Sequence, residues 1–160
     1  MRPIHYAVML VFALSSAIDG QSAAQQAPAA PAPGSAGTFK SAQELAEVLR
    51  KAAATTGRMT TSAVANTDQY RVNIVHRAKP AGAIAHAGNT ELHYITEGSG
   101  TIVTGGTIVK APGGATIENG ETRRVAKGDV IIIPANSPHW YSVVDGAITY
   151  LEVRWLAPSK

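Results

Sequence analysis

At 160 residues with no cysteine and a formal charge of only +3, the chain is sized for one domain. It excludes a disulfide framework, a thiolate nucleophile, a sulfur metal ligand and a lipidated cysteine. Its basic residues are scattered through turns rather than interleaved with aromatics, and the single cluster of Arg123, Arg124 and Lys127 reads as a solvated hairpin, so nucleic acid is not an expected partner.

The first segment reads as an export signal. Arg2 gives a positive start, Tyr6 to Leu14 is apolar, and Ser22-Ala23-Ala24 fits a small-x-small cleavage site, with Ser15-Ser16-Ala17 as a second. The apolar run is short of the roughly 20 residues that span a bilayer. Residues 1–24 are therefore expected to be removed, leaving a periplasmic or secreted protein without a stable membrane anchor. Residues 25–40 are rich in Ala and Pro; such a segment cannot bury enough apolar surface to offset the entropy of ordering, and reads as a disordered linker.

Ser41-Ala42-Gln43-Glu44 is a capping box, and Leu45, Val48, Leu49 and Ala52 follow at helical spacing. A helix is expected within residues 41–57, closed by Gly57, with that stripe laid on the rest of the domain or on a second subunit. From residue 58 to 160 the period is two. Met59 to Ala65 is a strand, and Gln69 to Ala78 a clearer one, with Tyr70, Val72, Ile74 and His76 on an apolar face against Arg71, Asn73, Val75 and Arg77. His76, on that apolar face, is expected to be hydrogen-bonded in or at the edge of the core.

Lys79 to Gly82 is a turn. Thr90 to Glu97 is a strand, Gly98-Ser99-Gly100 turns it, and Thr101 to Lys110 returns with an interruption at Gly105-Gly106. Asn119-Gly120 signals a hairpin between 115–117 and 122–125. Val130 to Ile133 is a continuous apolar run, expected where a strand is covered on both faces. His139 to Val144, a turn at Asp145-Gly146, and Ala147 to Trp155 close the chain. Many short strands with glycine turns and one helix argue for an all-β sandwich or barrel.

Two stretches carry the chemistry: His86-Ala87-Gly88-Asn89-Thr90-Glu91-Leu92-His93, and Gly128 to His139. Glu91 and His93 are two apart on a strand, so their side chains leave the same face. His86 and His139 supply further nitrogens if the sheet folds back on itself. Imidazoles with one carboxylate suit a divalent ion such as iron, manganese, nickel or zinc. Such groups facing an interior are costly unless a cation or a hydrogen-bond network satisfies them. The metal-free alternative is a pocket in which Glu91 and the histidines bind a sugar or an acid. Tyr141 shares a strand face with His139; it either lines the pocket and offers a proton or is a core aromatic.

These stretches resemble the two motifs of the cupin superfamily, G-x5-H-x-H-x3,4-E-x6-G and G-x5-P-x-G-x2-H-x3-N. From His86 the glutamate falls at Glu91 and the glycine at Gly98; Gly128, Pro134 and His139 are in register with the second motif. Ile84 stands where the first histidine belongs, Asn136 replaces the glycine and Val143 the final asparagine. The resemblance spans roughly Tyr70 to Trp155. It implies a cupin-like double-stranded β-helix, or jelly-roll barrel, with the one helix N-terminal to it, and a divalent ion held by three histidines and a glutamate. His93, at a position usually apolar in such barrels, is then expected to replace the missing ligand, giving the set His86, Glu91, His93 and His139. Glu91, if it swings free of the ion, and Tyr141 are the expected catalytic residues. The implied function is metal-dependent dioxygenase, isomerase or lyase chemistry on a small oxygen-rich or carboxylate-bearing molecule. The alternative is a non-catalytic module that binds such a molecule, since the superfamily holds both. A homodimer paired through outer sheets also follows from the resemblance.

Overall fold

The computed structural model of the chain describes residues 34, 37–54 and 57–158. The expected signal, and the linker apart from residues 34 and 37–40, lie outside them. Helix α1, Ala42–Ala53, starts where the capping box places it. Ser41 Oγ accepts from the Glu44 N–H at 3.2 Å, and Glu44 Oε2 accepts from the Ser41 N–H at 2.8 Å, so two orphan donors are satisfied reciprocally. The helix stops short of Gly57. Its half-buried Leu45, Val48 and Leu49 belong to an element that packs on the first two strands, so the barrel takes the stripe. Among the described residues no helix is long and apolar enough to cross a membrane.

Eight strands follow: β1 Met59–Asn66, β2 Tyr70–Arg77, β3 Asn89–Thr104, β4 Thr107–Ala111, β5 Gly114–Glu118, β6 Glu121–Ala126, β7 Val130–Ile133 and β8 His139–Leu156. One sheet runs β1-β2-β8-β3-β6, with β7 also on β3; β4 and β5 form a second, two-stranded sheet. All pairings are antiparallel. The long strands β3 and β8 pair along their whole length, and the other edge of β3 is shared between β7, at Glu91–Tyr94, and β6, at Ser99–Thr104.

Local turn signals are overridden in three places. Gly98-Ser99-Gly100 does not turn the chain: β3 runs through it, and the register with β8 slips there instead. A Cβ on Gly98 would stand 2.0 Å from the Ala147 oxygen, and one on Gly100 2.5 Å from the Val143 oxygen. These glycines serve a close strand approach at a bulge. The same bulges keep β8 continuous through Asp145-Gly146 and carry Glu97, in parity with Glu91, out to solvent. Asn119-Gly120 closes no hairpin, because β5 pairs with β4 and β6 with β3; it is a corner between sheets, with Asn119 at φ 56°.

The larger surprise is which face looks inward. The core is Val75, Ile95, Ile102, Val125, Ile133, Tyr141, Ile148 and Tyr150. Val75 pairs with Tyr150, and Tyr150 with Ile95. The inner face of β2 is therefore Arg71, Asn73, Val75 and Arg77, and the apolar face of Tyr70, Val72 and Ile74 looks outward. His76 is on that outer face and bonds through Nδ1 to Thr149 Oγ1 at 3.0 Å. The run Val130–Ile133 is not covered on both faces either: Ile133 is 1% exposed, but Val130 is 55% and Ile132 61% exposed. At residues 71–73 of β2, 151–154 of β8 and 91–94 of β3, by contrast, the polar and charged side chains point in and the apolar ones point out.

Candidate metal centre

Cross-strand register assembles the site in rows. Above the apolar row Val75–Tyr150–Ile95 lies the row Asn73–Glu152–His93–Ile131, and above that Arg71–Arg154–Glu91–Ile133. Directly opposed residues of antiparallel strands share a face, so each row is one layer of the barrel interior. The loop before β3 adds His86, and the start of β8 adds His139. That loop is held by Asn136, whose N–H donates to the His86 oxygen at 3.2 Å and whose Oδ1 accepts from the Gly88 N–H at 3.1 Å. Asn136 has φ 66°, a left-handed conformation that asparagine tolerates, which explains how it stands in a glycine's place. Ile84 bridges to His139 through backbone hydrogen bonds but brings no donor.

Glu91, His93, His139 and Glu152 are all at most 3% exposed, and they meet at Glu91. Its Oε1 is 2.5 Å from His86 Nδ1; its Oε2 is 3.4 Å from His93 Nε2, 3.8 Å from His139 Nε2 and 3.5 Å from Arg154 Nε. The donors fall into two groups. His86, Glu91 and His139 each present one ligand atom within 4.8 Å of the others, and so do Glu91, His93 and Glu152. The structure thus brings the three expected histidines around the Glu91 carboxylate, but it divides them, and His93 is grouped with Glu152 rather than with the other histidines.

Glu152 was not singled out by the sequence reading, nor were its partners. Asn73 Nδ2 donates to Glu152 Oε1 and Arg154 Nη2 to Glu152 Oε2, each at 2.8 Å. The signal was present: Glu152 and Arg154 alternate with apolar residues on β8 as Glu91 and His93 do on β3, and Arg71 and Asn73 do the same on β2.

Tyr141 is 1% exposed and stands behind His93, with its hydroxyl 3.1 Å from His93 Nδ1. Burial pushes its phenol far above the ordinary value, so it remains protonated. From there the hydroxyl can orient the His93 ring. Tyr150 packs against the His93 ring with centroids 4.4 Å apart. Its phenol, pushed up to about 12 by burial against the opposing charge of Arg77, accepts from Arg77 Nε at 2.9 Å.

Burial opposes the charge on Glu91, yet the hydrogen bond with His86 and the closeness of His93 and His139 hold its carboxyl well below the usual carboxylate range. It is held as an anion. Burial lowers His139 to about 4, against the attraction of Glu91, so this imidazole is neutral at neutral pH. Its Nδ1 lies 3.2 Å from the Ser137 carbonyl oxygen, which can only accept, so the proton sits on Nδ1 and the Nε2 lone pair faces Glu91. Glu91 Oε2 and His93 Nε2 are buried without a hydrogen-bond partner. For His93 Nε2 to meet a cation its proton must sit on Nδ1, where the Tyr141 oxygen can accept it. The donor set therefore fits a divalent ion.

A small antiparallel barrel with histidines and carboxylates in its interior defines the class. A family model described as Cupin matches residues 49–146, more than half of the chain, and the chain belongs to the cupin superfamily. No curated protein matches it. Among solved structures it is similar to a cupin superfamily protein of Desulfitobacterium hafniense, at 18% identity and a TM-score of 0.47 over 65% of this chain and 83% of that one. It is also similar to KdgF of a Halomonas species, at 16% and 0.47 over 63% and 82%. Pac13, described as a nucleoside dehydratase, gives 13% and 0.48 over 64% and 72%.

Proposed function

We propose that this cupin is a metal-dependent protein acting on a small oxygen-rich or carboxylate-bearing molecule. The observation that carries the reading is the pair of lone-pair acceptors facing each other inside the barrel. Glu91 Oε2 and His139 Nε2 are 3.8 Å apart, both buried, and no hydrogen bond satisfies the oxygen. A buried anionic oxygen against an imidazole lone pair is costly unless a cation lies near. Arg154 is the one arginine among the described residues within 4 Å of Glu91 and Glu152, a single cation set against two carboxylates. Glu91 with His86 and His139, or with His93 and Glu152, would hold the ion. When bound, iron, manganese, nickel or zinc would supply Lewis acidity for isomerase or lyase chemistry, or, as iron, dioxygen chemistry. Elemental analysis of the purified mature protein tests this: one equivalent of such a metal supports the reading, and no metal after growth in metal-supplemented medium overturns it.

The second reading, a non-catalytic binding module, is favoured by Arg154 itself, which neutralises part of the carboxylate charge without an ion. It predicts ligand binding that EDTA does not affect.

We also infer a homodimer through the outer sheet face. The outward residues of β2, β8, β3 and β7 include Val72, Leu92, Tyr94, Val130, Ile132, Leu151 and Val153, of which Tyr94, Val130 and Ile132 are exposed. A lone subunit would leave this face to water, whereas two copies can bury it against itself about a two-fold axis. Ile132→Lys is expected to yield monomers by light scattering, with the barrel's far-UV spectrum unchanged; a wild-type monomer at high concentration overturns the inference. Export is proposed from residues 1–24 alone, and the mass of the protein recovered from the periplasm or the medium tests the cleavage.

A further inference from the structure

The row nearest the barrel mouth places two arginines side by side. Arg71 and Arg154 are direct partners in the β2–β8 register, and like charges directly opposite each other destabilise a sheet unless something compensates them. Arg154 spends part of its charge inward, with Nη2 on Glu152 at 2.8 Å and Nε 3.5 Å from Glu91 Oε2, yet that Nε is buried without a hydrogen-bond partner. Arg71 is exposed, and among the described residues no carboxylate pairs with it. Both arginines line a cavity of about 380 Å³ that also includes Asn89, Gln69 and His86, a volume at the small end of the range for ligand sites. His86 belongs both to this lining and to the donor group around Glu91, so a molecule seated here would reach from the arginines to the centre. Asp68 is the one acidic side chain in the lining.

We propose that this cavity seats the carboxylate of a small organic acid, with Arg71 as its anchor and Arg154 as a second donor, and that the rest of the acid faces His86 and the donors beyond it. Guanidinium forks match the two oxygens of a carboxylate. The charge count selects a monoanion. Arg71 and Arg154 against Asp68, Glu91 and Glu152 leave a single negative charge, which a divalent ion turns into a single positive one. A monocarboxylate neutralises that charge, and a dianionic phosphate overshoots it. This assignment rests on the reading that the donors around Glu91 are the working centre, and it deepens that reading by naming the substrate class.

Butyrate, its neutral isostere butyramide and inorganic phosphate are the probes, titrated into full mature protein followed by amide NMR, once loaded with zinc and once treated with EDTA. The zinc-loaded protein is expected to bind butyrate saturably, more tightly than phosphate, and butyramide not at all. Arg71→Gln, at an exposed position, is expected to weaken butyrate by about tenfold while leaving zinc stoichiometry and the melting temperature unchanged. The proposal is overturned if butyramide binds as well as butyrate, if phosphate binds more tightly, or if Arg71→Gln keeps wild-type butyrate affinity. Should zinc itself fail to bind, the metal reading falls separately. Butyrate binding to the EDTA-treated protein then decides: sensitivity to Arg71→Gln keeps the subsite, and no binding removes it.

Discussion

Glu91→Gln is expected to abolish specific divalent-metal binding, lowering zinc affinity by about two orders of magnitude or more, at least the upper end of what loss of an outer-shell partner costs. Glu91 is the one residue common to both donor groups, so no choice between them spares it. Its two oxygens face different partners, Oε1 toward His86 and Oε2 toward His93 and His139. An amide of the same shape keeps the packing, removes the charge that would hold a cation, and offers its hydrogens to the imidazole lone pairs that the cation would otherwise take. The volume is conserved, so the barrel is expected to fold and the loss to appear in a zinc titration rather than in the circular dichroism spectrum. Two further variants separate the groups. His86→Gln weakens zinc if the outer group holds it, and Glu152→Gln does so if the inner one does. Full zinc affinity in Glu91→Gln would remove the carboxylate from the centre and with it the proposed function.

The sequence made the donors legible more readily than their surroundings. Glu91 and His93 sit on one face because a strand has a period of two, and that holds whatever the strand packs against. The inward direction of that face followed as well, because His86, Glu91 and Gly98 resemble a known motif. What stayed hidden depends on other strands. Glu152, Asn73, Arg71 and Arg154 reach the site only through the β2–β8–β3 register, which no local pattern specifies. They were also masked by a reasonable assumption, that the apolar face of Tyr70, Val72 and Ile74 is the inner one. Here burial of polar groups around a charged interior reverses the rule, and the outer face is left apolar. Glycine signals misled for a related reason: Gly98 and Gly100 answer to the backbone of β8 crossing close by, and Asn119-Gly120 to strands that pair elsewhere. The capping box at Ser41, by contrast, is a wholly local device, and the helix begins where it says.

The metal-free fold is expected to lose stability steadily as the pH falls from about 6.5 toward 4, the interval between the ordinary histidine pKa and that of buried His139. Burial lowers His139 to about 4 although the neighbouring Glu91 anion works the other way. In the unfolded chain the same imidazole takes up its proton near 6.5, so unfolding binds a proton throughout this interval and acid favours the unfolded state. The contribution is complete above pH 6.5 and is lost by the time the folded pKa is reached, amounting to about 3 kcal/mol at most. Glu91 adds to it in the same direction. Its carboxyl is held below the usual carboxylate range despite burial, so its stabilisation is present above that range and disappears as the pH falls further. Urea unfolding in EDTA at pH 7.0 and pH 4.5 measures the difference, expected at about 2 to 3 kcal/mol. His139→Gln, which cannot titrate, should be less stable at pH 7.0 but nearly flat down to pH 5, where only Glu91 begins to matter. Equal stability of the wild-type protein at the two pH values would mean that this imidazole is not held neutral in the folded state, and that its Nε2 lone pair is not standing ready for a cation.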